Sequence, residues 1–372
     1  MSNALLLNFY PLALRKFIDK ILWFFTLLAG FLLLLSYLSV YVEPTLFWYL
    51  GFLGLMYPFI LLLNVVLLVY WIARWKWCFL CPALFILIGV SHFASFFQFP
   101  FGKTLLKADS DLKVISYNVN LFHLYSWSKQ PPTYNAVYEF LQSENPDIAC
   151  LQEFYVDNKQ FTEVDARQKL DYNAHFGYIV KKPKSGYGMV TYSRHPIVDT
   201  GELRFENSAN ACIFTDIQVG NDTLRVYNIH LQSFRLKERN LNFLLNQDYR
   251  KESQAMDEIK DISFRFRDAV QKRAHQVDKV TNHMLSSPYP VLVCGDFNES
   301  PISYNYRRMT KSLNDAFVDA GVGVGHTYKG FFPSFRIDYI LYSSTFAATG
   351  YSSPKIYHSD HFPVVVTLGK KR

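Results

Sequence analysis

Six short motifs place carboxylates, amides and imidazoles at the ends of otherwise apolar runs: Ser116-Tyr-Asn118, Leu151-Gln-Glu153, Asn228-Ile-His230, Gly295-Asp-Phe-Asn298, Arg336-Ile-Asp338 and Ser359-Asp-His361. A polar group buried at a strand end loses solvation unless something pairs with it. Polar residues at the carboxyl ends of several strands converge on one rim of a sheet, where binding sites are built. Glu153, Asp296, Asn298 and Asp360 are hard oxygen ligands of the kind that suit Mg²⁺, Mn²⁺ or Ca²⁺, and no Cys/His spacing typical of structural zinc accompanies them. Two imidazoles, one oriented by a carboxylate, add proton transfer and charge stabilisation. Together they read as phosphoester hydrolysis: in-line attack at phosphorus gathers negative charge on the equatorial and leaving oxygens, and a divalent ion, an imidazolium and an amide donor offset it. Taken singly, each residue has a plainer account, with Asp338 paired to Arg336, His230 a satisfied strand-end histidine and Asn118 a turn residue.

Short apolar runs punctuated by Gly, Pro and Asn must carry these motifs. From Asp111 onward they predict strands near 112–117, 147–152, 174–180, 188–192, 211–218, 223–229, 291–294, 336–341 and 364–368, with helices near 133–143, within 236–285 and near 303–311. That mixture favours an α/β sandwich over a helical bundle. Residues 233–268 are dense in Arg, Lys, Glu and Asn with Phe and Leu interleaved; they fit a surface helix whose apolar stripe packs on the sheet, or a lid or membrane-facing surface beside the site.

In this order, the six motifs resemble the endonuclease/exonuclease/phosphatase superfamily, which includes DNase I-like nucleases, abasic-site endonucleases, neutral sphingomyelinases and inositol polyphosphate 5-phosphatases. The resemblance runs from about Leu112 to Leu368, with Ser193-Arg-His-Pro196 also at the expected place. It implies a four-layer α-β-β-α sandwich, and it implies roles. Glu153 becomes the principal metal ligand, Asn118 its neighbour in the metal and phosphate shell, and Asp360 a support of the metal site. Asp296 orients or deprotonates the attacking water, and Asn298 holds that water or a phosphate oxygen. His361 contacts a non-bridging oxygen, kept in its tautomer by Asp338. His230 stands where DNase-like and sphingomyelinase-like members carry His and abasic-site enzymes carry Tyr. The implied cofactor is Mg²⁺, with Mn²⁺ an alternative. His326, Tyr328 and His358 fall near the right loops without an assigned role, and Arg194 is as readily structural as phosphate-binding.

The first hundred residues are different in kind. Runs 21–42, 44–73 and 77–102 carry no charge, and each exceeds the roughly 20 residues that cross a hydrocarbon core. They predict three spans, about 21–42, 46–70 and 78–100, within an anchor of residues 1–107, ahead of a catalytic domain of residues 108–372. Arg15, Lys16 and Lys20 precede the first run, and Arg74 and Lys76 separate the second from the third, which places those ends in the cytoplasm and the catalytic domain on the periplasmic or extracellular side. Tyr and Trp near the run ends, Trp71 among them, fit interfacial belts. Of the 38 basic and 31 acidic residues, seven and three lie before Asp111, leaving 31 against 28 in the remainder, a balance of +3. So small an excess does not favour a polyanion-gripping surface. Cys78 and Cys81 read as small apolar residues of a helix, and Cys150, Cys212 and Cys294, inside strand-like runs, as buried thiols.

The sequence therefore favours a membrane-tethered, metal-dependent phosphodiesterase or phosphatase, acting on a lipid head group or a glycan phosphate. An extracytoplasmic nuclease is the second reading and a silent binding module of the same fold the third. The partners implied are a phosphoester substrate, lipid or nucleic acid, and the bilayer, with no obligate protein partner inferred.

Overall fold

The computed structural model describes residues 12–101, 111–124, 130–237, 239–240, 242–243, 252–330 and 336–371. The expected boundary between residues 107 and 108 falls outside them, as does most of 238–251.

The apolar N-terminal runs become α1 (Leu12–Leu38), α2 (Trp48–Leu55), α3 (Tyr57–Ala73), α4 (Leu80–Ile88) and α5 (Val90–Phe96). Among the described residues, one helix, Leu14–Leu38, is long and apolar enough to cross a membrane unbroken. The other two expected spans are bent pairs, Trp48–Leu55 with Tyr57–Ala73 and Trp77–Ile88 with Val90–Phe96, each turned by 59°. Pro58, in the first turn of α3, explains the first break, because it has no N–H to continue the ladder and its ring clashes with the carbonyl four residues back. Trp71 is buried against α1, where Nε1 donates to Thr26 Oγ1 at 2.8 Å. Asn64 Nδ2 donates to the Ala29 carbonyl at 3.1 Å, and Arg74 pairs with Asp19 at 3.1 Å, so α3 runs antiparallel to α1.

The chain then lays down β1 (Asp111–Asn118), β2 (Ile148–Asp157), β3 (Asn173–Lys182) and β4 (Ser185–Ser193). It moves to a second sheet with β5 (Ile197–Arg204), β6 (Ala211–Val219), β7 (Asp222–His230), β8 (Val291–Asp296), β9 (Asn314–Asp315) and β10 (Asp338–Tyr342), and returns with β11 (Phe346–Ser352) and β12 (Val364–Lys370). The sheet orders are β11-β12-β1-β2-β4-β3 and β5-β6-β7-β8-β10-β9. In each sheet one central pair is parallel, β1 with β2 and β7 with β8, and the remaining pairs are antiparallel.

Val114, Ile148 and Cys150 of one sheet meet Val226, Leu292, Cys294 and Ile340 of the other in a dry inter-sheet core. On the first sheet's outer face, α6 (Tyr134–Glu144) and α7 (Glu163–Lys169) bury Val137, Tyr138, Leu141 and Ala166. On the second's, α8 (Glu252–Leu285) and α9 (Tyr304–Thr310) bury Val277, Val280, Tyr306 and Met309. This is the expected layered α/β sandwich of two mixed sheets flanked by helices. Cys150, Cys212 and Cys294 are buried free thiols.

The N-terminal helices are docked on this sandwich. Ser39 Oγ reaches the Ile302 carbonyl at 3.2 Å, and Gln98 and Gly323 exchange both backbone bonds at 2.8 Å. A Cβ on Gly54 would stand 2.4 Å from the Ile302 oxygen, so only glycine lets α2 come this close. Arg336, fully buried, pairs with Asp315 at 2.7 Å and donates to the Ser95 carbonyl at 2.8 Å.

Candidate active site

Strand direction brings the six motifs to one rim. Asn118 ends β1 and Glu153 follows Gln152, the last β2 residue paired with β1, while His230 and Asp296 end β7 and β8, where they are directly paired. Asp338 and the segment 359–361 reach the same rim from the other direction. Asp338 is the first residue of β10, which runs antiparallel to β8 and pairs it with Asp296; Ser359, Asp360 and His361 precede β12, antiparallel to β1. A convergence of carboxyl ends alone was the simpler expectation. The mixed sheets supply amino ends as well.

Local backbone aims the groups. Glu153 has φ +48° at a register shift in the β2–β4 ladder between Leu151 and Phe154. A bulge with a non-glycine residue in the left-handed region re-aims one side chain at the cost of a ladder bond, and here it turns the Glu153 carboxylate onto the rim. Gln152 beside it points between the sheets, where Nε2 donates to Asn228 Oδ1 at 2.8 Å while Asn228 Nδ2 donates to the Val190 carbonyl at 3.0 Å. This buried amide pair clamps β2 to β7 beneath the site. Gly295 allows the close approach of β8 to β7, since a Cβ there would meet the Ile229 oxygen at 2.0 Å.

Around Asp296 the groups form one hydrogen-bonded set. Its Oδ1 accepts from Asn298 N at 2.8 Å, and its Oδ2 from Asn118 Nδ2 at 3.0 Å and Asn298 Nδ2 at 3.2 Å. The second proton of the Asn118 amide goes to Glu153 Oε1 at 3.3 Å. His361 Nδ1 lies 3.0 and 3.1 Å from the two oxygens of Asp338, leaving Nε2 facing Asp296 Oδ2 at 3.8 Å. Ser359 Oγ donates to the Asn118 carbonyl at 2.8 Å and accepts from His361 N at 3.1 Å, with Asp360 Oδ1 beside it at 3.2 Å. His230 Nε2 stands 3.5 Å from Glu153 Oε1 and 3.8 Å from Asp296 Oδ2, and neither of its buried ring nitrogens has a hydrogen bond.

Burial and crowding set the charges. Burial pushes the Asp296 carboxyl up to about 6, with Asp338 adding and the two imidazoles opposing. Glu153 is raised by burial and by the Asp360 charge. Burial works against an imidazolium at His361, but Asp338 and Asp296 outweigh it and hold that ring well above the ordinary histidine range. Burial lowers His230 to about 4, so it stays neutral. The two histidines are thus driven apart, one charged and one neutral.

This donor set fits a divalent cation. Glu153 and Asp360 repel one another across a rim that supplies Glu153 with a single long amide bond, and an ion between hard oxygens relieves that strain. Asp296, Asp338 and His361 also bring ligand atoms within 4.8 Å of one another. Both Asp338 oxygens are already turned to His361 Nδ1.

All eight residues singled out in the sequence lie on this rim. Arg336 does not compete for Asp338, because it is paired with Asp315. Ser193-Arg-His-Pro196 lies at the opposite rim, where Ser193 pairs with the first residue of β2 and Arg194 Nε donates to Tyr172 Oη at 2.7 Å; Arg194 is structural. Tyr328, left unassigned in the sequence, packs its ring 4.9 Å from that of His361, and Thr327 Oγ1 accepts from Asp338 N at 3.2 Å. Gln152, Asn228 and Ser359 belong to the quoted motifs, yet their supporting roles needed the fold to become visible.

A layered sandwich of two mixed sheets with acids, amides and histidines on one rim is the architecture of a phosphoesterase fold, and the family comparison agrees. The endonuclease/exonuclease/phosphatase family model matches residues 115–361, and the chain belongs to that family. Its members are phosphoesterases and nucleases, typically dependent on a divalent metal. A second model, for a domain of unknown function, matches residues 19–96. No curated protein matches the sequence. Among solved structures, the chain resembles a family member from Bacteroides thetaiotaomicron (18% identity, TM-score 0.52, 72% of this chain and all of that one). It also resembles one from Bacteroides vulgatus (16%, 0.51, 71% and 100%) and the human Nocturnin catalytic domain with bound sulfate (18%, 0.50, 74% and 100%). At these identities the likeness is one of fold.

Proposed function

We propose that this protein is a divalent-metal-dependent phosphoester hydrolase whose catalytic domain, residues 108–372, is held at a membrane surface by residues 1–107. The observation that carries the reading is the single connected set from Glu153 through Asn118, Asp296 and Asn298 to His361 and Asp338. Glu153, with Asn118 and Asp360, would hold the ion, which when bound supplies positive charge to the phosphate and leaving oxygens. Asp296, near neutrality and buried, takes the proton of the attacking water as the new P–O bond forms and the ester P–O bond breaks; that proton then leaves with the departing oxygen. Asn298 and Asn118 fix Asp296 through their amides. The His361 imidazolium, locked by Asp338, turns its Nε2–H to a non-bridging oxygen, and neutral His230 has both nitrogens free for phosphate or leaving group. No covalent intermediate is required.

The proposed topology has three crossings, α1 and the two bent pairs. The Arg74–Asp19 pair supports it by placing the second basic cluster beside the first, at the end of α1 remote from Ser39 and Ile302, where the catalytic sheets dock. A reporter fused after Arg372 is expected to be active only outside the cytoplasm, and activity inside overturns the orientation.

The chemistry is tested on the full chain in detergent, with bis-p-nitrophenyl phosphate against p-nitrophenyl phosphate. Turnover with Mg²⁺ or Mn²⁺ that EDTA abolishes is expected, and the diester-to-monoester ratio separates phosphodiesterase from phosphatase. No turnover of either ester, or of plasmid DNA, with either metal overturns the reading.

A further inference from the structure

Between α2 and α8 lies an apolar groove of about 580 Å³, walled on one side by Trp48, Phe52 and Leu55 and on the other by Phe234, Ile262 and Phe266. Its volume falls in the range of about 300–1,000 Å³ typical of ligand pockets. Its walls come from the two parts of the chain with different sequence character, the N-terminal helices and the catalytic domain. Phe266 is the hub: its ring lies 5.7 Å from Phe52 edge-on, 6.2 Å from Trp48, and stacks on Phe234 at 5.2 Å. Among the described residues, no charged side chain lines the groove, and Ser263 is the one aliphatic hydroxyl.

Three further observations identify an occupant. The groove is not sealed into the core, since Phe52 is 49% exposed and its surroundings on α2 and α8 are exposed and apolar, with Phe47 and Tyr49 on one side and Met256 and Ile259 on the other. Contiguous apolar surface on a helix that continues into a membrane-spanning pair marks contact with lipid. At its inner end Leu55, Phe234 and Phe266 also line a crevice of about 20 Å³ that Asn298 and the buried Arg273–Glu299 ion pair share. Asn298 Nδ2 is 3.2 Å from Asp296 Oδ2, so the groove's inner end lies near the proposed catalytic carboxylate.

We infer that the groove between α2 and α8 holds the hydrocarbon chain of a membrane-borne phosphoester, seating its phosphate at the Asp296–His361 rim. The inference rests on the hydrolase reading above and narrows it to amphiphilic esters. A chain withdrawn from the bilayer edge into this groove exchanges one apolar surrounding for another, so the gain lies in positioning: the phosphate is delivered beside Asn298 and not at random over the rim. Soluble phosphoesters reach the same rim without that guidance.

The full chain in lipid nanodiscs, loaded with Mg²⁺ or Mn²⁺, is assayed on ethyl and dodecyl p-nitrophenyl phosphate, with bis-p-nitrophenyl phosphate as the chainless control. The dodecyl ester is expected to show a kcat/KM at least about tenfold above the ethyl ester. Ile262→Asp, which puts a charge into the groove, and Phe52→Ser, which removes an exposed wall, are each expected to erase that preference while leaving the ethyl and control rates within about twofold. Thermal melts of both variants establish that they fold, and Phe52→Ser serves alone if Ile262→Asp does not. Turnover of the control ester with no preference for the longer chain, or equal loss on all three esters in a folded variant, overturns the inference and leaves the hydrolase reading standing. Absence of turnover on every ester with either metal overturns the hydrolase reading itself.

Discussion

Replacing Asp296 with alanine in the full chain is expected to lower kcat on bis-p-nitrophenyl phosphate by about three orders of magnitude, within the 10²–10⁴ that a positioned general base contributes. The carboxylate is the node of the site, accepting three hydrogen bonds from two asparagines and facing both histidines within 3.8 Å. Burial raises it to about 6, which suits a base working near neutral pH but makes it an unfavourable group to bury. Truncation therefore removes the base and also relieves a desolvated charge. The lost amide bonds and the relieved burial oppose one another, so the thermal midpoint should move by only about 4 °C or less. Activity and stability part company in this variant. Wild-type turnover in folded Asp296→Ala protein would falsify the proposed mechanism.

Much of the fold was legible because its signals are local. All nine expected strands form, since each is a short run rich in Val, Ile, Leu, Phe or Tyr that ends in loop residues. Three strands escaped notice for the opposite reason. β5 is an edge strand with Asp199, Gly201 and Glu202 in it, β11 carries Ala-Ala-Thr-Gly, and β9 is two residues long. The helix α7 has a local signal in the sequence, the Thr162–Asp165 capping box. In the site the residue types spoke plainly. Strand polarity did not, because whether Asp338 ends one strand or begins the next depends on pairing with β8. Nor did the bulge at Glu153, which lies in the pairing of β2 with β4, or the choice of Arg336 for Asp315 over Asp338. Such outcomes are decided between elements far apart in sequence. The breaks at Met56 and Gly89 are intermediate cases. Pro58 signalled the first, while hydropathy summed over a window counts apolar residues and is blind to a 59° turn among them.

The N-terminal helices and the sandwich share buried contacts. Arg336 has one partner in the catalytic sheets and another on α5, and the apolar groove has one wall from each part. A chain cut before Asp111 would bare the Ile302 and Gly323 surfaces and lose the α2 wall.

Asp338 and His361 should behave as one unit. Asp338→Asn keeps shape and one acceptor oxygen but removes the charge that holds His361 protonated against burial, and its expected cost in kcat is about 10²–10⁴, as for a buried carboxylate that orients a catalytic imidazole. His361→Ala, which deletes the cation, should cost at least as much. The decisive measurement is the double variant. If Asp338 works through the ring of His361, the pair together is no slower than His361→Ala alone, because the second substitution has nothing left to position. The competing arrangement makes Asp338 a metal ligand beside Asp296, a geometry that the 4.8 Å clustering of their oxygens allows. In that case the losses multiply, and Asp338→Asn raises the Mg²⁺ concentration needed for half-maximal activity even where His361 is already alanine. A cycle that shows no extra loss and no change in metal demand selects the His361–Asp338 pair; multiplied losses with a weakened metal response would move the ion from Glu153 to the centre of the trio.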